Sequence, residues 1–367
     1  MERFEEVQIK LTRVRNFLEE KKLKAVLLKT QPNFSWLTGG GLNMVGVVTE
    51  MGVTSLLITQ EAQYVIANRI EAKRMMVEEG LEDLGFTLLE HEWYEDRELE
   101  LVKEIVGDVP VGCDVSAYGF INIGAQLKPL RYELTAAEME RYKFLGEKVS
   151  TAIERVLLNV KPGDTEAEIT GRLSAELWKD RIDPAGYMAA ADERARLYRH
   201  PIPTMNKVQK YLMLCINARY KGLITTITRL VHFGPVPSSL LKQYRDNVEI
   251  ECIMMAHTRI GEEMRRPLLA GIEAYARMGY HEEWKLHHQG GPMGYYARDI
   301  RVTPATSELV RENQAFCWNP TISGTKSEDG FIVTSQGIIM ITKPVLFPTL
   351  ELEVEGQEFV RPGILTL

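Results

Sequence analysis

The stretch Tyr211-Leu212-Met213-Leu214-Cys215-Ile216-Asn217-Ala218-Arg219-Tyr220-Lys221-Gly222-Leu223-Ile224-Thr225-Thr226-Ile227-Thr228-Arg229-Leu230-Val231 decides how this chain folds. It reads as two strands, 211–218 and 223–231, paired antiparallel around a tight turn at Lys221-Gly222. Alternation places Cys215 and Asn217 on one face of the first strand, and Thr226 and Thr228 on one face of the second. Thr is a good strand former and Cys packs as a small hydrophobe, so these positions suit a core as well as a site. Further extended segments are expected at 315–318, 331–334 and 337–341, with helices over 238–251 and 268–278. Upstream, Thr135 with Glu138 fits a capping box that opens a helix to about Leu158. Lys161-Pro162-Gly163-Asp164 stops that helix, and Asp164 or Thr165 caps the next, which runs to about Lys179.

The first third of the chain also mixes strands and helices. Residues 9–22 carry an amphipathic helical pattern, and Ala25-Val26-Leu27-Leu28 reads as a buried strand punctuated by Gln31-Pro32-Asn33. Short strands are expected at 44–48, 53–58 and 63–67, with turns at Met51-Gly52 and near Gln60-Glu61. Residues 68–79 and 97–105 read as helical, and 84–89 and 109–113 as extended. A change of pattern near Arg131–Leu134 puts a domain boundary at about residue 133. No linker of low complexity and no short repeat marks it.

A chain of 367 residues suits two domains or one large one, and 45% apolar with 26% charged residues is the composition of a globular protein. The net charge of -7 argues against a nucleic-acid partner. The charged start lacks a secretory h-region, and no apolar run reaches the roughly eighteen residues of a membrane helix. The four cysteines, Cys113, Cys215, Cys252 and Cys317, show no CxxC spacing and read as free thiols of a reducing cytoplasm.

Chemistry could reside in four places. His200 lies in Arg199-His200-Pro201-Ile202-Pro203, a loop-like stretch, and imidazole suits proton transfer near neutral pH. The Cys215/Thr226 hairpin is the second. The third is His287-His288-Gln289-Gly290-Gly291-Pro292-Met293-Gly294. On a strand, adjacent His side chains point to opposite faces, so one of the two is expected in a site. The fourth joins Trp318-Asn319-Pro320 to Glu328-Asp329, an acidic pair able to supply a base or metal ligands, or to solvate a hairpin end.

Taken in order, these segments resemble the creatinase / aminopeptidase P / prolidase family. Asn33-Phe34-Ser35-Trp36-Leu37-Thr38-Gly39 is similar to the family's N-domain segment N-x-x-Y-L-T-G. Lys161-Pro162-Gly163-Asp164-Thr165-Glu166 resembles its pG-x-t-E connection. His200 matches the family's active-site His, Thr226-Ile227-Thr228-Arg229 matches D-x-T-R, His288 fits G-H-G-x-G, and Glu328 fits the Glu of x-E-D. The resemblance implies an α/β protein with a small N-terminal α/β domain over 1–132, a C-terminal pita-bread α/β domain over 133–367, and a homodimer.

Family metallopeptidases bind two divalent ions through two Asp, one His and two Glu. By resemblance those positions fall on Cys215, Thr226, His288, Asn319 and Glu328, so three of five carboxylate or imidazole ligands are replaced. A dication pair needs bridging carboxylates, which Thr and Asn cannot supply. The expectation is therefore a cytoplasmic, metal-independent hydrolase without a cofactor. It would cleave a C–N bond in a small nitrogenous or short peptide-like substrate. His200 is expected as general base, with His288 as acid or oxyanion donor. Glu328 would anchor a cation or relay a proton, Cys215, Thr226 and Asn319 would line the pocket, and Arg298 and Arg229 would bind substrate or form structural ion pairs. A metal-dependent Xaa-Pro peptidase and a non-catalytic peptide-binding descendant are the alternatives.

Overall fold

The computed structural model describes residues 1–367. The chain divides into two compact units, Met1–Glu138 with Lys221–Leu223, and Met139–Tyr220 with Ile224–Leu367.

In the first unit, α1 (Arg3–Lys21) turns Val7, Leu11, Val14 and Leu18 inward at helical spacing. The strands are β1 (Ala25–Thr30), β2 (Met51–Thr59), β3 (Gln63–Asn68), β4 (Thr87–His91), β5 (Val111–Cys113) and β6 (Ile121–Asn122). They form one mixed sheet in the order β4-β3-β2-β1-β5-β6, carrying α2 (Gln31–Leu37), α3 (Arg69–Lys73) and α4 (Glu98–Val106). The segment read as punctuation is instead the start of α2, because Pro32 sits in the first turn, where its missing N–H is not needed. Residues 44–48 form no strand, and Val45, Val47 and Val48 stand exposed. Met51-Gly52 is the start of β2 rather than a turn. Asn43 organises this entry, its Oδ1 accepting from Val53 N (3.1 Å) and Thr54 N (2.9 Å). The Asn33–Gly39 motif serves the core. Buried Asp114 accepts from Lys29 N (2.8 Å), Thr30 N (3.0 Å), Thr30 Oγ1 (2.7 Å) and Asn33 Nδ2 (2.8 Å), and Arg131 Nη1 donates to Asn33 Oδ1 at 2.7 Å.

Helix α5 (Ala136–Leu157) begins in the first unit and continues into the second from Met139, where α6 (Glu166–Trp178) follows. Both capping boxes form: Glu138 N reaches Thr135 Oγ1 at 3.3 Å and Glu168 N reaches Thr165 Oγ1 at 3.1 Å. The strands of the second unit are β7 (Asp183–Ala191), β8 (Tyr211–Tyr220), β9 (Leu223–His232), β10 (Gly290–Pro292), β11 (Gln314–Trp318), β12 (Thr321–Ile322), β13 (Thr325–Lys326), β14 (Asp329–Thr334), β15 (Gly337–Met340), β16 (Thr349–Val354), β17 (Gln357–Pro362) and β18 (Leu365–Thr366). The main sheet runs β10-β11-β14-β9-β8-β7, with β15 on β14 and β18 on β9. Lys221 and Gly222 both take positive φ, 48° and 84°, the pattern of a primed hairpin turn. The short helix α7 (Arg194–Leu197) follows β7, and α8 (Ser238–Ala256) packs on α9 (Arg265–Arg277). α5 lies so close to the chain after β15 that a Cβ at Gly146 would stand 1.7 Å from Ile341 O. β7 was not anticipated: its Ala-rich, Gly-interrupted sequence has weak strand propensity, and pairing with β8 along nearly its whole length supplies what propensity lacks.

Candidate functional site

Strands β9 and β14 bring together the residues that the sequence spread over a hundred positions. Asp329 pairs in register with Ile227, so Thr226 and Thr228 lie beside Glu328. The Thr228 hydroxyl donates to Glu328 Oε2 at 2.7 Å, with Cys215 Sγ 3.0 Å from the same oxygen of Thr228. Thr226 Oγ1 donates to Cys317 Sγ at 2.9 Å.

Glu328 is not an open carboxylate. Lys326 Nζ approaches Oε2 at 2.8 Å and Arg298 Nη2 approaches Oε1 at 3.2 Å. The same two cations touch the flanking positions. Lys326 Nζ is 3.9 Å from Cys215 Sγ, and Arg298 Nη1 is 3.4 Å from Thr226 Oγ1. Burial by itself would raise the Glu328 carboxyl; Lys326 and then Arg298 outweigh it and hold the group below the usual range. Burial also pushes the Cys215 thiol up, which keeps it protonated and poorly nucleophilic at neutral pH. Lys326 was not singled out in the sequence. Its signal was its place two residues before Glu328, on the same face of an extended segment.

The histidines form a second cluster. His200 sits exposed in the loop after α7, and Glu166 anchors that loop. The buried carboxylate of Glu166, at the start of α6, accepts from Ala191 N (2.7 Å), Thr204 N (2.8 Å) and Thr204 Oγ1 (2.7 Å) and pairs with Arg194. The Glu of the Lys161–Glu166 motif thus positions the loop of a distant His. His287 and His288 both approach His200, where only one of them was expected. They precede β10 in irregular backbone rather than lying in a strand, so their side chains do not alternate between faces. His287 Nε2 lies 2.9 Å from His200 Nε2, the two adjacent rings stack at 4.4 Å, and His200 to His288 is 5.8 Å between centroids. The expected preference for His288 is therefore replaced by a cluster in which His287 holds the direct hydrogen bond to His200. All three imidazoles are held below their ordinary value, by burial first. Lys326 adds to this for His200 and His287, while Arg298 adds to it for His288, which falls to about 4.

Asn319 is buried near the end of β11; its N–H donates to Gln289 O at 3.0 Å and its Oδ1 has no protein partner. Arg298 keeps a buried Nε without an acceptor. Of the two alternatives for Arg229, the structural ion pair is the one that forms. The residue is fully buried, its Nε 2.7 Å from Glu154 and its Nη1 3.1 Å from Asp329. Asp329 is likewise spent in the core, on Arg229, Arg361 (3.1 Å) and Thr342 (2.6 Å).

The model of metallopeptidase family M24 matches residues 140–346, more than half of the chain. The chain belongs to metallopeptidase family M24. Among relatives of this M24 chain, a putative Xaa-Pro aminopeptidase of Mycoplasma pneumoniae is 24% identical over 362 residues, 93% of this chain and 94% of that one. An Xaa-Pro dipeptidase from Bacillus anthracis superposes with a TM-score of 0.78 at 18% identity, covering 98% of this chain and 100% of the other. An X-Pro aminopeptidase from Thermotoga maritima gives 0.76 at 18%, covering 97% and 99%. These likenesses establish the two-domain α/β pita-bread fold, and family membership places the chain among peptide hydrolases.

Membership in a metallopeptidase family implies metal. The residues around Glu328 do not fit a pair of divalent ions. They offer one carboxylate, already held by an ammonium and a guanidinium, beside a protonated thiol and a hydroxyl. No helix is long and apolar enough to cross a membrane.

Proposed function

We propose that this M24 chain hydrolyses the C–N bond of a small nitrogenous or short peptide-like substrate without a metal ion, with His200 as general base. The family's metal ligands are read as replaced at Cys215, Thr226 and Asn319. The observation that carries this reading is the double engagement of Glu328 by Lys326 and Arg298. Two protein cations face the single carboxylate, so the group leaves an excess of positive charge that disfavours a pair of dications.

The chemistry follows from which atoms are free. If His200 Nε2–H donates to His287 Nε2, His200 Nδ1 keeps a lone pair. That nitrogen takes the proton of a water as its oxygen attacks the substrate carbonyl. The same proton then goes to the leaving nitrogen as the C–N bond breaks. His288, uncharged at neutral pH, serves as an N–H donor to the developing oxyanion. Arg298 has a spare Nε donor for a substrate carboxylate, and Asn319 has a spare Oδ1 acceptor for an N–H. Cys215 and Thr226 line the site. The reading includes a cytoplasmic homodimer, supported by the family resemblance and by four cysteines that are all buried free thiols.

The test is a screen of chelator-treated protein against Xaa-Pro dipeptides, small amides and guanidino compounds. The expected result is turnover that chelators leave unchanged and that His200→Ala abolishes at unaltered melting temperature. Xaa-Pro cleavage that appears only on adding manganese, zinc or cobalt would restore the metal-dependent peptidase. A second reading, peptide binding without turnover, is favoured by the internal ion pairing of Glu328, which leaves no carboxylate to activate water. Saturable peptide binding with no cleavage would support it.

A further inference from the structure

We propose that His200, His287 and His288 form a site for a single borderline-soft transition-metal dication of the zinc class, separate from Glu328. One candidate ligand nitrogen from each ring lies within 4.8 Å of those of the other two. A tetrahedral ion with bonds of about 2.0–2.1 Å to nitrogen needs ligand atoms somewhat closer than that, so a small convergence of the rings suffices. His200 and His287 are already at 2.9 Å, held by one shared hydrogen. Moving that hydrogen to Nδ1 of the ring that carries it, a change of tautomer, frees both Nε2 lone pairs toward one ion.

A second observation points to a ligand. The Nδ1 atoms of His287 and His288 are buried and have no hydrogen-bond partner in the protein, and His287 is only 7% exposed. A buried ring nitrogen with nothing to bond is unusual. His288 therefore has a nitrogen that the fold leaves unused, while His287 offers the Nε2 that His200 engages. His200 is the solvent-exposed member, which gives an ion a route in.

The composition of the site selects the ion. Three neutral imidazoles suit zinc, cobalt, nickel or copper, and lack the oxygens that magnesium, calcium or manganese require. Lys326 and Arg298 oppose the ion's charge, so the affinity falls below that of a three-histidine site in neutral surroundings. An occupied site also takes up His200, so the ion and general-base action by His200 exclude each other. The proposal goes beyond the hydrolase reading, and its test reads binding rather than turnover.

Full-length, metal-free protein is titrated with cobalt(II), following the intense visible bands of four-coordinate cobalt. Zinc is measured by competition with a chromophoric chelator. The expected result is one ion per chain, tetrahedral cobalt bands, no competition by manganese, and a loss of affinity of about tenfold or more in His200→Ala and in His288→Ala. Both variants are checked by near-UV circular dichroism, and His200→Ala, in an exposed loop, keeps the test open if the buried histidines resist substitution. Unchanged zinc affinity in His200→Ala overturns the proposal. So does the absence of cobalt bands in the wild-type protein, or a zinc affinity that falls in Glu328→Gln and not in the histidine variants.

Discussion

Lys326 Nζ lies 2.8 Å from Glu328 Oε2, with both side chains withdrawn from solvent and Arg298 on the opposite carboxylate oxygen. A buried carboxylate is tolerated only with such partners. Removing the ammonium in Lys326→Met leaves Glu328 with Arg298 as its one cation and is expected to destabilise the protein by about 3 kcal/mol at pH 7. The pH dependence has a definite sign. Glu328 is held below its ordinary value, so its contribution is present above the unfolded carboxylate pKa near 4.3 and is lost as pH falls through the lower folded value. Lys326, opposed by burial and raised by Cys215 and Glu328, contributes below the unfolded lysine pKa near 10.4 and loses that contribution as pH rises through its higher folded value. The difference between wild type and variant, measured by urea unfolding, is therefore largest between about pH 5 and pH 10. A difference independent of pH would show that the pair does not carry it.

His200 is held below the ordinary imidazole value, by desolvation where its ring meets the cluster and then by Lys326. If it is the general base, the acid limb of kcat/KM falls below about pH 6.5 and the profile is flat from there to neutrality. A limb at or above that pH removes His200 from the role.

Glu166 ties the His200 loop to the start of α6 through four groups. Glu166→Ala leaves Arg194 and three other donors without their acceptor, and the expected loss is about 3 kcal/mol. Hydrogen exchange checks the mechanism: protection should fall across residues 189–206 before it falls in β8 and β9.

Arg229 bridges Glu154 and Asp329 inside the second unit. Arg229→Met exposes two buried acids to each other and should lower stability by about 3–5 kcal/mol. Any loss of activity should track the unfolded fraction in a denaturant titration. A folded Arg229→Met protein with a raised KM would return Arg229 to the substrate.

Asp114 accepts four hydrogen bonds in the first unit. Asp114→Ala orphans buried donors worth about 1–3 kcal/mol each, softened by local rearrangement, so a loss of about 3 kcal/mol is expected. Residues of the first unit should lose hydrogen-exchange protection while those around Glu328 retain it.

How far the site was legible differs residue by residue. The capping boxes at Thr135/Glu138 and Thr165/Glu168 act within one turn of chain, and both formed as read. The β8–β9 hairpin carries its own turn chemistry at Lys221-Gly222. Residues 44–48 misled because apolar β-branched residues suggest a strand whether or not a partner strand exists. Arg229 stayed open between two roles for a related reason: an Arg beside a threonine-lined strand looks the same in sequence whether a ligand or two buried acids receive it.

By itself the sequence determined the α/β class, most of the elements, and several of the polar residues that the fold gathers, though not Lys326. These rest on period, caps and turns, which are local. Only the tertiary structure decided that Lys326 and Arg298 close on Glu328, that Glu166 holds the His200 loop, and that His287 joins His288 at His200. Those outcomes depend on strand register and on loops meeting across 87 residues of chain, as His200 and His287 do. A side chain's charge state and direction in such places are set by what packs against it, and no local pattern encodes that.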